Sequence, residues 1–300
     1  MLLTPKYLKP GDRIAIVSPA SKIYPGKMEG VKKIFNSWKL EVVFGKNSLA
    51  SHHQFAGTDE QRAADLQWAL DNDQFAAVIC SRGGYGSLRI LEKLDFSNFI
   101  KNPKWLVGFS DITVLHAYIN NFLKTKTIHG IMPVNFDSAT EHSLESLKNA
   151  LFGKKNVYKF QKYQLNRPGK AKGEIIGGNL SLIISIAGSH FDYDTTGKIL
   201  FIEDVNEFLY RIDRLMMNLK IRGKLEKLAG LLVGSFDKMN DNPTPFGMNV
   251  YEIIAEKVKN YDFPVAFGFP AGHAKQNLAL ILGHEVELEV GERHCLLKFY

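Results

Sequence analysis

"WLVGFSDITVLHAYINNFL", Trp105–Leu123, joins a short apolar run to a helical pattern through a Gly-Phe-Ser-Asp step. Trp105–Phe109 reads as a strand and Asp111–Leu123 as a helix. The same pairing recurs on either side. "RIAIVS" (13–18) precedes "MEGVKKIFNSW" (28–38), where Met28, Val31, Ile34, Phe35 and Trp38 share one helical face. "LEVVFG" (40–45) precedes "DEQRAADLQWALDN" (59–72), with Asp59 as the expected cap. "AAVICS" (76–81) precedes "GSLRILEKL" (86–94), and "KTIHG" (126–130) precedes "EHSLESLKNALFG" (141–153). Strands alternating with helices imply right-handed crossovers and a parallel sheet covered on both faces. The expected fold class is α/β, a doubly wound, mostly parallel sheet.

The alternation stops at "GKKNVYKFQKYQLNRPGKAKG", a polar, basic stretch with Pro168 and several glycines. It reads as a crossing between domains. The expected organisation is an N-terminal domain over 1–152, a linker over 153–172 and a β-rich, mixed C-terminal domain over 173–300. Within the latter, "GEIIGG", "KILFIED", "LAGLLVGSF" and "PVAFGF" are strand-like, with helices near 179–188, 206–220 and 248–259. In the last stretch, from Ala279, Val286, Leu288 and Val290 alternate with glutamates before the turn Gly291-Glu292-Arg293, which predicts a β-hairpin with one wet face.

Three hundred residues favour two cores over one. An apolar content of 45% and a charged content of 23% are those of an ordinary globular protein. No apolar run approaches the ~20 residues that span a bilayer. "MLLTPKYLKPGDRIAIV" does not read as a signal peptide, so a cytoplasmic protein is expected. Cys80 and Cys295 do not make a disulfide framework and are expected as buried thiols. The net charge of +7 is spread along the chain. It favours acidic small molecules, and without an aromatic-basic stripe it does not point to nucleic acid.

Ligands of open α/β sheets bind at the carboxyl ends of the strands. Two loops there stand out, "GFSD" (108–111) and "CSRGGYGS" (80–87). Ser110 has two readings. It caps the following helix, or it is a nucleophile lifted clear by a sharp strand-to-helix turn, with the Asp111 amide and the helix dipole facing whatever the hydroxyl attacks. Only Gly108 matches the hydrolase elbow G-x-S-x-G, since Ile112 occupies the second glycine position. Gly83, Gly84 and Gly86 free the backbone for close approach to a ligand, but Arg89 stands where a dinucleotide fingerprint needs its third glycine. The loop is either a tight turn with Tyr85 packed on the core, or a donor of an oxyanion amide near Gly84, with Arg82 holding a substrate carboxylate. A serine needs a base. Among nine histidines, His129 at a strand end and His273 in the loop "GFPAGHAKQN" compete. Glu203 and Asp204, at a strand end, are candidates to orient the imidazole, and alternation lets only one face a given site. No zinc-spaced His/Cys cluster is present.

Together the stretches "SPAS", "SRGGYGS", "VGFSDIT", "HG" (129–130), "GGNLSL", "LFIEDVNE", "YRIDRLMMNL" and "GFPAGH" resemble the LD-carboxypeptidases, serine peptidases of bacterial cell-wall recycling whose relatives include microcin C immunity peptidases. The resemblance implies Ser110 as nucleophile, His273 as base and Glu203 as its orienting acid. It implies oxyanion amides from Asp111 and a loop glycine such as Gly84, with Arg82, Gly83 and Tyr85 lining the substrate. It also implies a Rossmann-like N-terminal domain, a site between the domains, a murein tetrapeptide substrate, a homodimer, and no cofactor or metal. Ile131 and Ile281 stand where the family often has proline. A microcin-immunity-type peptidase acting on aminoacyl-nucleotide analogues, and a non-catalytic muropeptide-binding protein, are the alternatives.

Overall fold

A computed structural model describes residues 2–300. They form two compact units, one running to Lys154 and taking in Leu278–Ile281, the other comprising Lys155–Asn277 and Leu282–Tyr300.

The first unit alternates β1 (Arg13–Val17), α1 (Met28–Ser37), β2 (Glu41–Phe44), α2 (Asp59–Asp71), β3 (Phe75–Cys80), α3 (Ser87–Leu91), α4 (Ser97–Lys101), β4 (Trp105–Gly108), α5 (Thr113–Ala117), β5 (Thr127–His129) and α6 (Glu141–Leu151). The strand order β2-β1-β3-β4-β5 is parallel throughout. Ile14, Ala15, Ile16, Val17, Val78, Ile79 and Val107 are all fully buried, as strands covered on both faces must be. The fold is thus the doubly wound α/β sheet expected. In such a sheet β1 and β3 flank the point where the strand order reverses, and ligands bind beyond their carboxyl ends.

The helix expected over Asp111–Leu123 is three pieces, a 3₁₀ turn at Ser110–Ile112, α5, and a π turn at Tyr118–Phe122. Asn120 closes the last piece by donating its side-chain amide to the Thr125 carbonyl at 2.7 Å. The cap of α2 is Thr58 rather than Asp59. Thr58 Oγ1 accepts from the Gln61 amide at 3.3 Å while Gln61 Oε1 accepts from the Thr58 amide at 2.9 Å, a reciprocal box that satisfies two orphan donors.

The second unit contains β6 (Val157–Gln161), β7 (Gly169–Asn179), α7 (Leu180–Ser185), β8 (Ile199–Val205), α8 (Leu209–Ile221), β9 (Gly230–Asp237), α9 (Val250–Val258) and β10 (Val265–Ala266). β11 (Leu280–Leu282) follows in the chain but forms the edge of the first unit's sheet beside β5. The C-terminal hairpin is β12 (Glu285–Val290) and β13 (His294–Phe299). The second sheet runs β10-β9-β8-β7-β12-β13-β6. β7 to β10 pair in parallel, and β7, β12, β13 and β6 pair antiparallel. β7 belongs to both halves, because Gly169–Glu174 pairs with β12 and Ile175–Asn179 with β8. The stretch expected as a linker therefore carries β6 and the start of β7. Tyr158 and Phe160 are buried against Phe269, with Val157, Lys159 and Gln161 on the exposed side. Cys80 and Cys295 are buried free thiols, and burial pushes both up in pKa.

Thr58→Ala removes the cap of α2 and is expected to cost about 1 kcal/mol of stability in a denaturant titration. An unchanged midpoint would show that the box contributes nothing net.

Candidate active site

In the first unit the site is built from the loops that leave β1, β3 and β4. Ser110 sits immediately after the extended residue Phe109, with φ +64. An L-residue in this left-handed region costs roughly 1–2 kcal/mol, so the surroundings must hold it. Ser110 is the first residue of the 3₁₀ turn, and the cap position before it is held by Phe109. The Ser110 side chain instead abuts the glycine loop, where a Cβ on Gly83 would lie 2.9 Å from Ser110 Cβ and 3.1 Å from its Oγ. The structure thus brings Ser110 and Gly83 together. The space at Gly108 is taken by Ile112, whose Cγ1 would be 2.8 Å from a Cβ there.

The Gly108 carbonyl anchors the turn by accepting from the Gly130 amide at 3.1 Å and from His116 Nε2 at 2.9 Å. Burial pulls the His116 pKa down to about 4, against the opposing pull of that carbonyl. His116 is therefore a neutral anchor. His129 is fully buried, its ring 5.7 Å from that of Phe109.

The loops after β1 and β3 are tied across the switch point. Ser18 and Ser81 share a hydroxyl–hydroxyl bond of 2.5 Å, and the Ser21 amide donates to the Gly83 carbonyl at 3.2 Å. Gly84, at φ +103, lies so close to Ser21 that any Cβ would collide with it. The Tyr85 amide donates to Ser21 Oγ at 3.3 Å. Tyr85 itself is 50% exposed rather than packed on the core. Arg82 Nη1 donates to the Lys22 carbonyl at 3.0 Å, which fixes the guanidinium beside these loops. Asp111 is buried, and its carboxylate accepts from the Ser87 amide at 2.7 Å. Burial raises its pKa, while the Ser87 donors and the Arg62 charge act the other way.

In the second unit a separate group of candidate residues centres on the end of β8. Glu203 and Asp204 are both buried, so neither is a solvated strand-end acid. The ladder to β9 shifts register between Ile202 and Asp204, leaving Glu203 beside Gly234 and Ser235. The two carboxylates then serve different partners. Asp204 accepts from Asn179 Nδ2 at 2.9 Å and from the Ser181 amide and hydroxyl at 2.9 and 2.8 Å. Burial, and then the Glu203 charge, raise its pKa.

Glu203 Oε2 meets His273 Nδ1 at 2.6 Å. The His273 side chain is 18% exposed and that of Glu203 fully buried, so the ring joins a buried charge to an accessible edge. Gly272, at φ +122, lets the loop pass over the acid, since a Cβ there would lie 2.9 Å from Glu203 Oε2. The loop is held by Gly272 N donating to Asn277 Oδ1 at 3.0 Å and Ala274 N donating to Ser235 Oγ at 3.2 Å. Burial lowers the His273 pKa, but the charge and hydrogen bond of Glu203, followed by Asp204 and Asp237, outweigh it and leave the pKa raised.

The sequence reading passed over Arg62, Ser235 and Asn277. Each lies inside a quoted stretch, as does Ser21 in "SPAS", but helix or strand patterning gives none of them a role. Among the described residues no three His, Cys, Asp or Glu side chains cluster as metal ligands, and no helix is long and apolar enough to cross a membrane.

Residues 14–130 match the LD-carboxypeptidase N-terminal domain and residues 172–288 the LD-carboxypeptidase C-terminal domain. The chain is 34% identical over 299 residues to the probable murein peptide carboxypeptidase of Bacillus subtilis, covering 98% of this chain and 94% of that protein. It is 27% identical to the microcin C7 self-immunity protein MccF of Escherichia coli, over 85% of this chain and 83% of that one. The crystal structure of muramoyltetrapeptide carboxypeptidase from Oxalobacter formigenes superposes with a TM-score of 0.87 at 26% identity, covering 96% of this chain and 98% of that one.

The His273 imidazole is expected to titrate above the ordinary 6.5 in an NMR pH series. Because its folded pKa is raised, its contribution to stability is fully present below the unfolded value and is lost as pH rises through the folded one. Glu203→Gln removes the leading cause of the increase and leaves burial, so the pKa should fall. An unchanged His273 titration in that variant would contradict the assignment.

Proposed function

The chain belongs to the LD-carboxypeptidase family of serine-type peptidases, and from that premise we propose that it releases the terminal D-alanine of murein tetrapeptides through a Ser110–His273–Glu203 triad. The observation that carries this reading is the 2.6 Å bond between His273 Nδ1 and the buried Glu203 carboxylate. An imidazole held at Nδ1 by an acid is oriented to exchange protons through Nε2, and the acid stabilises the imidazolium that forms. The left-handed Ser110 supports the other half of the reading, because strain retained at one residue against the glycine loop marks a functional position.

His273 takes the Ser110 proton as Oγ attacks the carbonyl carbon of the amide that joins the L-centre of the diamino acid to D-alanine. The negative charge that develops on the carbonyl oxygen is met by the amides of Asp111 and Gly84. The Tyr85 amide already donates to Ser21, which favours the glycine. His273 returns the proton to the leaving amine, the C–N bond breaks and D-alanine departs. Water, deprotonated by His273, then attacks the acyl-enzyme and frees Ser110. Arg82 pairs with the substrate's terminal carboxylate, and Gly83 and Tyr85 line its approach. Peptidoglycan recycling in the cytoplasm by a homodimer completes the reading.

D-alanine release from a panel of tetrapeptides tests it, with an aminoacyl-nucleotide analogue included to test the microcin-immunity alternative. Ser110→Ala is expected to lower kcat by at least about 10⁴-fold with the fold intact, and Ser110→Ala/His273→Ala to lose little more. Full activity in Ser110→Ala, or losses that add in the double variant, would contradict a shared device. Binding of the tetrapeptide without turnover by the wild-type protein would favour the non-catalytic alternative.

A further inference from the structure

Arg62 is an arginine in the interior of the first unit whose side chain is fully buried. Burying a guanidinium is expensive, and a well-packed apolar side chain of similar volume is often at least as stabilising. The reason for a guanidinium is found in what it touches. Nη1 donates to the Pro19 carbonyl at 2.6 Å and to the Gly86 carbonyl at 3.0 Å. Those carbonyls lie on the two different loops that leave β1 and β3. Nη2 pairs with Asp59 on the same helix, and the guanidinium lies over the Phe55 ring, 4.8 Å from its centroid.

Gly86, at φ +135, comes so near that a Cβ would lie 2.6 Å from Nη1. The loop therefore rests on the guanidinium itself. One residue further on, the Ser87 amide is held by the carboxylate of Asp111, the neighbour of Ser110. The glycine loop is fastened at this end twice, to α2 through Arg62 and to the serine turn through Asp111. Arg62 also holds Pro19, two residues before the Ser21 that receives the Tyr85 amide and donates to the Gly83 carbonyl.

We infer that Arg62 is a positioning residue for the oxyanion hole: by holding the Pro19 and Gly86 carbonyls it sets where the Gly84 amide stands relative to Ser110. This inference rests on the serine mechanism proposed above. The guanidinium touches neither nucleophile nor substrate, so it acts through the loop. Its loss therefore belongs in kcat and in affinity for a tetrahedral adduct, with KM little affected. A misplacement of about 1 Å can cost on the order of 10²-fold in rate.

The test compares Arg62→Met, which keeps volume without donors, with Arg62→Lys, which keeps the charge without the fork. Rates are expressed per active site titrated with a serine-directed phosphonate. Expected is a fall in kcat of about 100-fold for Arg62→Met and about 10-fold for Arg62→Lys, with KM within about threefold. Affinity for a peptide boronic acid should fall in parallel. Asp59→Asn, which removes the negative charge of one guanidinium partner at the rim, is expected to show a smaller loss with the same kcat-to-KM pattern, and it decides the matter with Arg62→Lys if Arg62→Met does not fold. A kcat within twofold of wild type per titrated site, or a loss confined to KM, overturns the inference. If that result accompanies an inactive Ser110→Ala, only the role of Arg62 fails. If Ser110→Ala keeps full activity, the serine mechanism itself fails.

Discussion

The left-handed backbone at Ser110 is the constraint around which the first unit is arranged. A serine does not take φ +64 by preference. Its neighbours are packed closely around it. The Gly83 backbone lies where any side chain would strike Ser110, Ile112 fills the space at Gly108, and two donors pin the Gly108 carbonyl. Each contact requires the absence of a Cβ or the presence of a buried donor. The glycines of this region are therefore parts of one close approach between the loops after β3 and β4, next to the switch point that β1 and β3 flank.

The second unit solves a different problem, holding a fully buried carboxylate against an imidazole. Glu203 Oε1 has no hydrogen-bond partner among the described residues, so the stabilisation of the charge falls to His273 through Oε2. A buried anion with one strong partner raises that partner's proton affinity, and Asp204 and Asp237 add to the effect. The arrangement depends on the register shift opposite Gly234 and Ser235 and on the positive φ of Gly272. A regular ladder or a side chain at 272 would disturb the pair.

Legibility in the sequence followed the physics of each element. The continuous apolar runs of β1, β3 and β4 declare strands buried on both faces, and the hairpin at 285–299 shows a clear alternation. β6 was hidden because the exposed Lys159 and Gln161 made a two-residue period look like a polar linker. β11 gave no sign that it would join the first sheet, since sheet partners depend on long-range packing. The choice between Glu203 and Asp204 was open because alternation alone does not foresee a register shift. Asp59 took the place of Thr58 as cap because both types cap well, and only the Gln61 reciprocity separates them. Arg62 was illegible for a simpler reason: an arginine in a helix rich in charged and polar residues reads as a surface charge until a loop is seen resting on it.

The central claim is that Ser110 forms a covalent acyl-enzyme. Rapid quenching of the wild-type protein during turnover of a murein tetrapeptide, followed by intact-mass measurement and peptide mapping, tests it directly. The account predicts a transient adduct with the mass of the substrate less D-alanine, located on Ser110 and absent from Ser110→Ala. Sustained D-alanine release with no adduct under conditions that trap acyl-serines, or an adduct on another residue, would contradict it.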